Sequence, residues 1–117
     1  MTRNIRRKPV VVIHPFKGKG GENETNINKI LAICRGLKDA VPGAVLIVPV
    51  FNFIYLDDEA EEERRFAIET SKDLIRIVAA VDGEAWVFGQ YQNSEGCLGE
   101  IKLAEELGMT IRYWGER

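Results

Sequence analysis

The acidic side chain best placed to do chemistry is Glu100, within the segment SEGCLGEIKLAEELG from Ser94 to Gly108. This segment reads as a loop that turns into a helix directly after the apolar run Ala85 to Gly89. At roughly 100° per residue, a helix gathers Cys97, Leu98, Ile101, Leu103, Ala104 and Leu107 into one wide apolar arc, and Glu100 falls inside it, between Leu107 and Ala104. Glu95, Lys102 and Glu106 take the opposite side. A carboxylate facing a core is costly unless it is paired, hydrogen-bonded or open to a pocket. A pocket would make Glu100 a catalytic or binding group. The alternative is a carboxylate that accepts hydrogen bonds from a neighbouring loop and only holds that loop in place. Spacing does not choose between the two, and Glu105, at one edge of the same arc, shows that a helical wheel does not single out one acid.

The elements that must position Glu100 belong to one domain. A chain of 117 residues, 45% hydrophobic and 29% charged, has the composition of an ordinary soluble globular protein with a single core. A net charge of −2 gives no reason to expect a nucleic-acid partner. Arg3, Arg6, Arg7 and Lys8 read as a solvated basic tail over residues 1–8, ahead of an α/β domain over residues 9–117. Cys34 and Cys97 fall at apolar helical positions and read as small core residues in a reducing compartment, and His14 is the only histidine. With no HxxxH or CxxC spacing, neither a metal nor another cofactor is expected. The absence of a signal peptide and of a run of about 18 apolar residues predicts a cytoplasmic protein with no membrane partner.

Pro9 to His14 (PVVVIH) is a β-branched run without polar alternation, which suits a central strand covered on both faces, and it stops at Pro15. A glycine-rich loop with Lys17 and Lys19 follows, then a helix from Asn26 to Val41 with Ile27, Ile30, Leu31, Cys34, Leu37 and Val41 in register and Thr25 or Asn26 as its cap. After Pro42-Gly43, Ala44 to Phe51 reads as a second buried strand and Asn52 to Asp58 as an aromatic loop. Asp57 to Glu63 lead the next helix, which continues to about Val81 with Ala67, Ser71, Leu74, Val78 and Val81 on one face. Asp82-Gly83 turns the chain into the strand Ala85 to Gly89; beyond the Glu100 helix, Gly108 suits a C-terminal cap and Met109 to Trp114 a last strand.

This order, β-α-β-α-β-α-β with short connections, predicts a single-domain, doubly wound α/β fold of the Rossmann or flavodoxin kind. Its sheet would have about four to five mostly parallel strands, with helices on both faces. In such sheets ligands bind outside the carboxyl ends of the strands. His14 to Gly21, Phe51 to Asp58, Gly89 to Glu100, and Tyr113-Trp114 arrive at that edge, so a small-molecule pocket is expected there. Neither GxxxxGK[ST] nor GxGxxG is present. Backbone N–H groups around Ser94 to Cys97 would lie at a helix N-terminus able to hold a phosphate or a ribose hydroxyl, with the Ser94 hydroxyl as cap or ligand.

Ser94, Gly96, Glu100 and Ala104, in the pattern SxGxxxExxxA, resemble the signature helix of the nucleoside 2-deoxyribosyltransferase superfamily, which includes deoxynucleoside monophosphate N-glycosidases. The resemblance is to an uncharacterised phage and bacterial branch and runs through Pro15-Phe16, Asn26-Ile27, Cys34-Arg35, Pro49, Leu56-Asp57-Asp58, Glu63-Arg64, Asp82, Trp86 to Gly89, and Arg112-Tyr113. It implies a glutamate nucleophile, Glu100, attacking C1′ of a 2-deoxyribonucleoside; Asp57, Asp58 or Asp82 could supply the acid at the leaving base, with Asp57 and Asp58 preferred because their loop leaves the strand edge. His14, Pro15, Phe16, Asn26, Phe51, Phe88, Gly89, Ser94, Gly96 and Tyr113 are then the expected substrate-binding set. The implied ligand is a nucleoside or nucleotide, and a homo-oligomer with a shared active site is expected. A protein that only binds a nucleotide-like ligand is the alternative. Two departures stand out: His14 occupies a position where many members of that family have a small residue, and Leu98, with Gly99 next to it, stands where the monophosphate N-glycosidases carry glycine. Because Glu100 falls in the second helical turn, beyond most of the dipole's reach, a backbone group or a tyrosine, Tyr55, Tyr91 or Tyr113, is expected to donate a hydrogen bond that keeps it charged.

Overall fold

The computed structural model describes residues 6–16, 22–57 and 59–115, with the side chains of the first helix described from Glu24 onward. Four strands, β1 (Lys8–Ile13), β2 (Ala44–Ile47), β3 (Glu84–Val87) and β4 (Thr110–Tyr113), form one sheet in the order β2-β1-β3-β4. All three pairings are parallel, with Val10 opposite both Leu46 and Glu84, and Trp86 opposite Arg112. The β-branched run of β1 takes the interior of the sheet, where Val10, Val11, Val12 and Ile13 are buried. Short side chains that fit a pleat with cover on both sides favour that position.

Alternation along the strands splits the core into two layers. Val10, Val12, Trp86 and Phe88 face helix α1 (Glu22–Ala40) through its Ile30 and Leu37. Val11, Ile13, Ala85 and Val87 face Ile75 and Val78 of α3 (Glu61–Ala80) and Cys97, Ile101 and Ala104 of α4 (Glu95–Glu106). The fold is therefore a doubly wound, Rossmann-like α/β domain. Among the described residues no helix is long and apolar enough to cross a membrane.

Several boundaries differ from those read in the sequence. Lys8, assigned to the tail, is the first residue of β1, its N–H bonded to the Gly43 carbonyl at 2.8 Å. Helix α1 begins at Glu22, so Thr25 and Asn26 lie inside it and do not cap it. Strand β2 stops at Ile47 and is a half-exposed edge, with Val45 44% exposed, because Pro49 opens the one-and-a-half-turn helix α2 (Pro49–Phe53) and its fixed φ suits a first helical position. The buried face of α3 is centred on Ile75 and Val78, which rotates Val81 out to solvent. On α4, Leu98 and Leu107 are more than a third exposed, so the apolar arc is narrower than the wheel predicts.

The turn into β3 is sterically fixed. Asp82 takes a left-handed backbone with φ 59°, and the Gly83 N–H returns to the Val78 carbonyl at 2.8 Å. A Cβ on Gly83 would lie 2.5 Å from the Pro9 carbonyl oxygen in β1, besides meeting the Val78 side chain. Gly83→Ala is therefore expected to cost about 2 kcal/mol or more, read as a fall in melting temperature on the order of 10 °C.

Candidate functional site

The chain after β1 leaves toward α1 on one face of the sheet, and the chain after β3 leaves toward α4 on the other. The carboxyl ends of β1 and β3 therefore flank a topological switch point, the usual place for a ligand in this kind of fold. His14 ends one side and Phe88-Gly89 the other, tied together by the Phe88 N–H donating to the Ile13 carbonyl at 2.9 Å.

From Gly89, whose φ of 73° only glycine adopts without strain, the chain makes one 3₁₀ turn (Tyr91–Asn93) and enters α4. Ser94 is the N-cap: its Oγ accepts from the Cys97 N–H at 3.2 Å. Gly96 faces open space, where an added Cβ would meet Ser94 Oγ at an ordinary 3.8 Å, so its lack of a side chain is not a packing requirement. Glu100 sits in the second turn. It is half-buried by exposed surface, yet its carboxyl is surrounded by protein on most sides, and burial pushes its pKa up to about 7 against the pull of the Lys72 ammonium on α3. No described residue donates a hydrogen bond to it.

A second buried carboxylate provides the contrast. Glu84, at the start of β3, accepts from Lys8 Nζ, Trp86 Nε1 and Arg112 Nε, each at 2.9 Å. Burial acts to raise its pKa, but the Trp86 N–H and the charges of Lys8 and Arg112 outweigh it and hold the carboxyl below its ordinary value. It lies at the amino end of the strands, away from the switch point, where it clamps β1, β3 and β4. Among the described residues Glu84 has three donors and Glu100 has none; the fold accounts for the first.

The tyrosines expected to support Glu100 do not. Tyr91 and Tyr113 lie against each other with ring centroids 5.3 Å apart, and Tyr55 is 74% exposed. Lys72 is the group that sequence reasoning missed. The wheel over Ala67, Ser71, Leu74 and Val78 puts it at the edge of the face, and the true rotation toward Ile75 carries it to the flank beside α4. Asp57 is exposed and engaged in its own turn, its Oδ1 accepting from the Glu59 N–H at 2.9 Å. Asp58 lies outside the described residues. Nothing among the described residues links Asp57 to Glu100.

The remaining expected residues divide by position. Asn26 Nδ2 donates to the Phe16 carbonyl at 2.8 Å and so ties α1 to the chain just past β1, where Pro15 and Phe16 are half-buried. Phe51 packs half-buried against the α1-side core. Phe88 is fully buried, stacked on Trp114 with centroids 5.8 Å apart, and lines an apolar groove of about 360 Å³ with Lys29, Ala32, Gly36 and Trp114. That groove lies on the α1 face, whereas Glu100 and Tyr113 belong to the α3–α4 face. Cys97, one turn from Glu100, is buried with its thiol pushed up to about 12, mainly by burial, so it is expected to stay unmodified by thiol reagents until the protein unfolds. Mass analysis after timed alkylation in native buffer and in denaturant checks this.

A family model described as a domain of unknown function, DUF7768, matches residues 8–114. The chain belongs to the DUF7768 family. Its matched region begins with β1 and ends just past β4, so the DUF7768 domain is the whole doubly wound unit, including Glu100 and the switch point. No curated protein matches the chain.

Proposed function

We propose that this DUF7768 protein cleaves or transfers the N-glycosidic bond of a 2-deoxyribonucleoside or its monophosphate, with Glu100 as the nucleophile. The observation that carries the reading is a deeply set carboxyl on α4, one turn inside the Ser94 cap, with no hydrogen-bond donor among the described residues and a pKa near neutrality. No described residue donates to that carboxyl, and a strongly perturbed titration is a mark of functional sites. In the reaction one Glu100 oxygen attacks C1′, the bond from C1′ to the base nitrogen breaks, and the base leaves with a proton. Water or a second base then attacks C1′ and releases the carboxylate. Lys72 favours the ionised form needed for attack. Ser94 retains a hydroxyl proton to donate while its oxygen caps α4.

The leaving-base acid is not among the neighbours of Glu100, and two features bear on it. Asp57 is bound into its own turn, which favours a second reading, a module that binds a nucleotide-like ligand without turnover. Ile54, Tyr55 and Phe66 form an exposed apolar surface beside the Phe53–Phe66 ring pair, which suits contact with a second copy that completes the site. The two readings separate on one experiment: free base is followed by chromatography after incubation with a panel of 2-deoxyribonucleosides and their monophosphates. The glycosidase or transferase reading expects base release by the wild type and none by Glu100→Ala or Glu100→Gln. Ligand-dependent thermal shifts without base release would move the assignment to the binding module.

A further inference from the structure

We infer that His14 is a specificity residue of the switch-point site: its Nε2 accepts a hydrogen bond from an N–H or O–H of a neutral, nucleoside-like ligand. The inference rests on the nucleoside reading above and names what that site selects.

His14 ends β1 at the centre of the carboxyl edge and is only 7% exposed. Its Nδ1 lies 2.7 Å from the Pro15 carbonyl oxygen. A carbonyl oxygen only accepts, so Nδ1 carries the proton and the neutral ring presents a lone pair at Nε2. Burial, and secondarily the Lys29 ammonium, lowers the pKa of the imidazole despite that hydrogen bond, which keeps the ring neutral. Among the described residues, Lys29 is the charged group that acts on it.

Nε2 has no partner among the described residues, and its position is built. A Cβ on Gly89 would lie 2.9 Å from Nε2 and 3.1 Å from Pro15 Cδ, so the ring occupies space that only glycine at the end of β3 leaves open. The ring is thus fixed between the ends of β1 and β3, with Nδ1 bonded to the Pro15 carbonyl. A ligand N–H or O–H that donates to Nε2 gives this lone pair a partner. A fully ionised phosphate offers only lone pairs and has no donor for Nε2. Among nucleoside groups, a sugar hydroxyl and an N–H of the base both qualify.

The test measures equilibrium binding by calorimetry in a Glu100→Gln background, so that turnover does not intervene. Probes are 2-deoxyribonucleosides, their 2′,3′-dideoxy analogues, and analogues N-methylated at the base. His14→Asn keeps a donor for the Pro15 carbonyl but loses the acceptor at Nε2; His14→Gln places an oxygen near that point. The expected result is a loss of about tenfold or more in affinity on His14→Asn, and near-retention on His14→Gln. One class of masked analogue should bind the His14 protein about tenfold more weakly and be indifferent to His14→Asn, and that class identifies the hydroxyl or the base N–H as the donor. Binding that is unchanged by His14→Asn, or by masking either donor, overturns the inference while leaving the nucleoside reading intact. If no nucleoside binds with His14 in place, both fall. Should His14→Asn fold poorly, His14→Gln and the masked analogues carry the same decision.

Discussion

Glu100→Gln is expected to be catalytically inactive and yet more stable than the wild type at pH 8. The folded-state pKa of about 7 lies above the ordinary value of 4.5, so the folded protein holds this proton more tightly than the unfolded chain does. The stability contributed by the protonated group is therefore present at low pH and is lost as pH rises from about 4.5 through about 7. Above that window the native state carries an ionised, largely desolvated carboxyl whose support among the described residues is Lys72. Glutamine removes the charge and keeps the shape. With each pKa unit worth about 1.4 kcal/mol, and discounting for partial exposure, the gain at pH 8 is on the order of 1–3 kcal/mol. That corresponds to a rise of several degrees in melting temperature, shrinking toward zero at pH 5. Thermal melts of the two proteins at both pH values check this. A destabilised Glu100→Gln at pH 8 would mark a carboxylate that the fold uses, like Glu84.

Glu84→Ala is expected to produce the opposite result, a large loss of stability. It leaves the buried Trp86 indole N–H without its acceptor and removes the common partner of Lys8 and Arg112, so three strands lose their clamp. Lys8 and Arg112 are more than half exposed and recover water, which places the cost at about 2–4 kcal/mol, below that of breaking a fully buried pair. Its pH dependence also runs the other way. A carboxyl whose folded pKa is depressed contributes stability that is fully present above its unfolded value, about 4.5, and is lost as pH falls through the folded value. Denaturant titrations should therefore show wild type and Glu84→Ala far apart at pH 7 and closer together as the pH is taken well below 4. A constant gap would place the cost in packing and not in the carboxylate.

The backbone plan was readable because it rests on local signals. The unbroken run of Val10 to Ile13, the turn at Asp82-Gly83 and the regular alternation of strand and helix leave few topologies open, and right-handed crossovers settle the rest. Asp82 takes the turn position expected of it. Where the reading slipped, a neighbour decided. Pro49 starts a helix and does not end a strand, because the chain must leave the sheet edge after Ile47. The rotation of α3 depends on its packing against α4 and the strands, which a wheel drawn for one helix cannot contain; hence the misplaced Val81 and the missed Lys72.

At the site, the inward position of Glu100 and the capping role of Ser94 were legible from spacing, since both follow from helical geometry alone. The state of Glu100 was not. The expected tyrosine donor required knowing that Tyr91 and Tyr113 face each other across separate elements. Glu84 drew no notice in the sequence, because its three donors come from positions 8, 86 and 112 and meet only in the folded sheet. His14 was visible as a departure from the pattern of the family that the sequence resembles, but its tautomer depends on a carbonyl one residue away, and its space depends on Gly89, 75 positions further along the chain.

The central claim, that Glu100 is a nucleophile, is tested most directly by intact-protein mass measurement after rapid quenching of the wild type and Glu100→Gln with 2-deoxyribonucleosides and their monophosphates. The account predicts a deoxyribosyl adduct on the wild type, mapped to the peptide containing Glu100 and missing from Glu100→Gln, with base released in step. Base release that persists in Glu100→Gln, or an adduct on another residue, would contradict it.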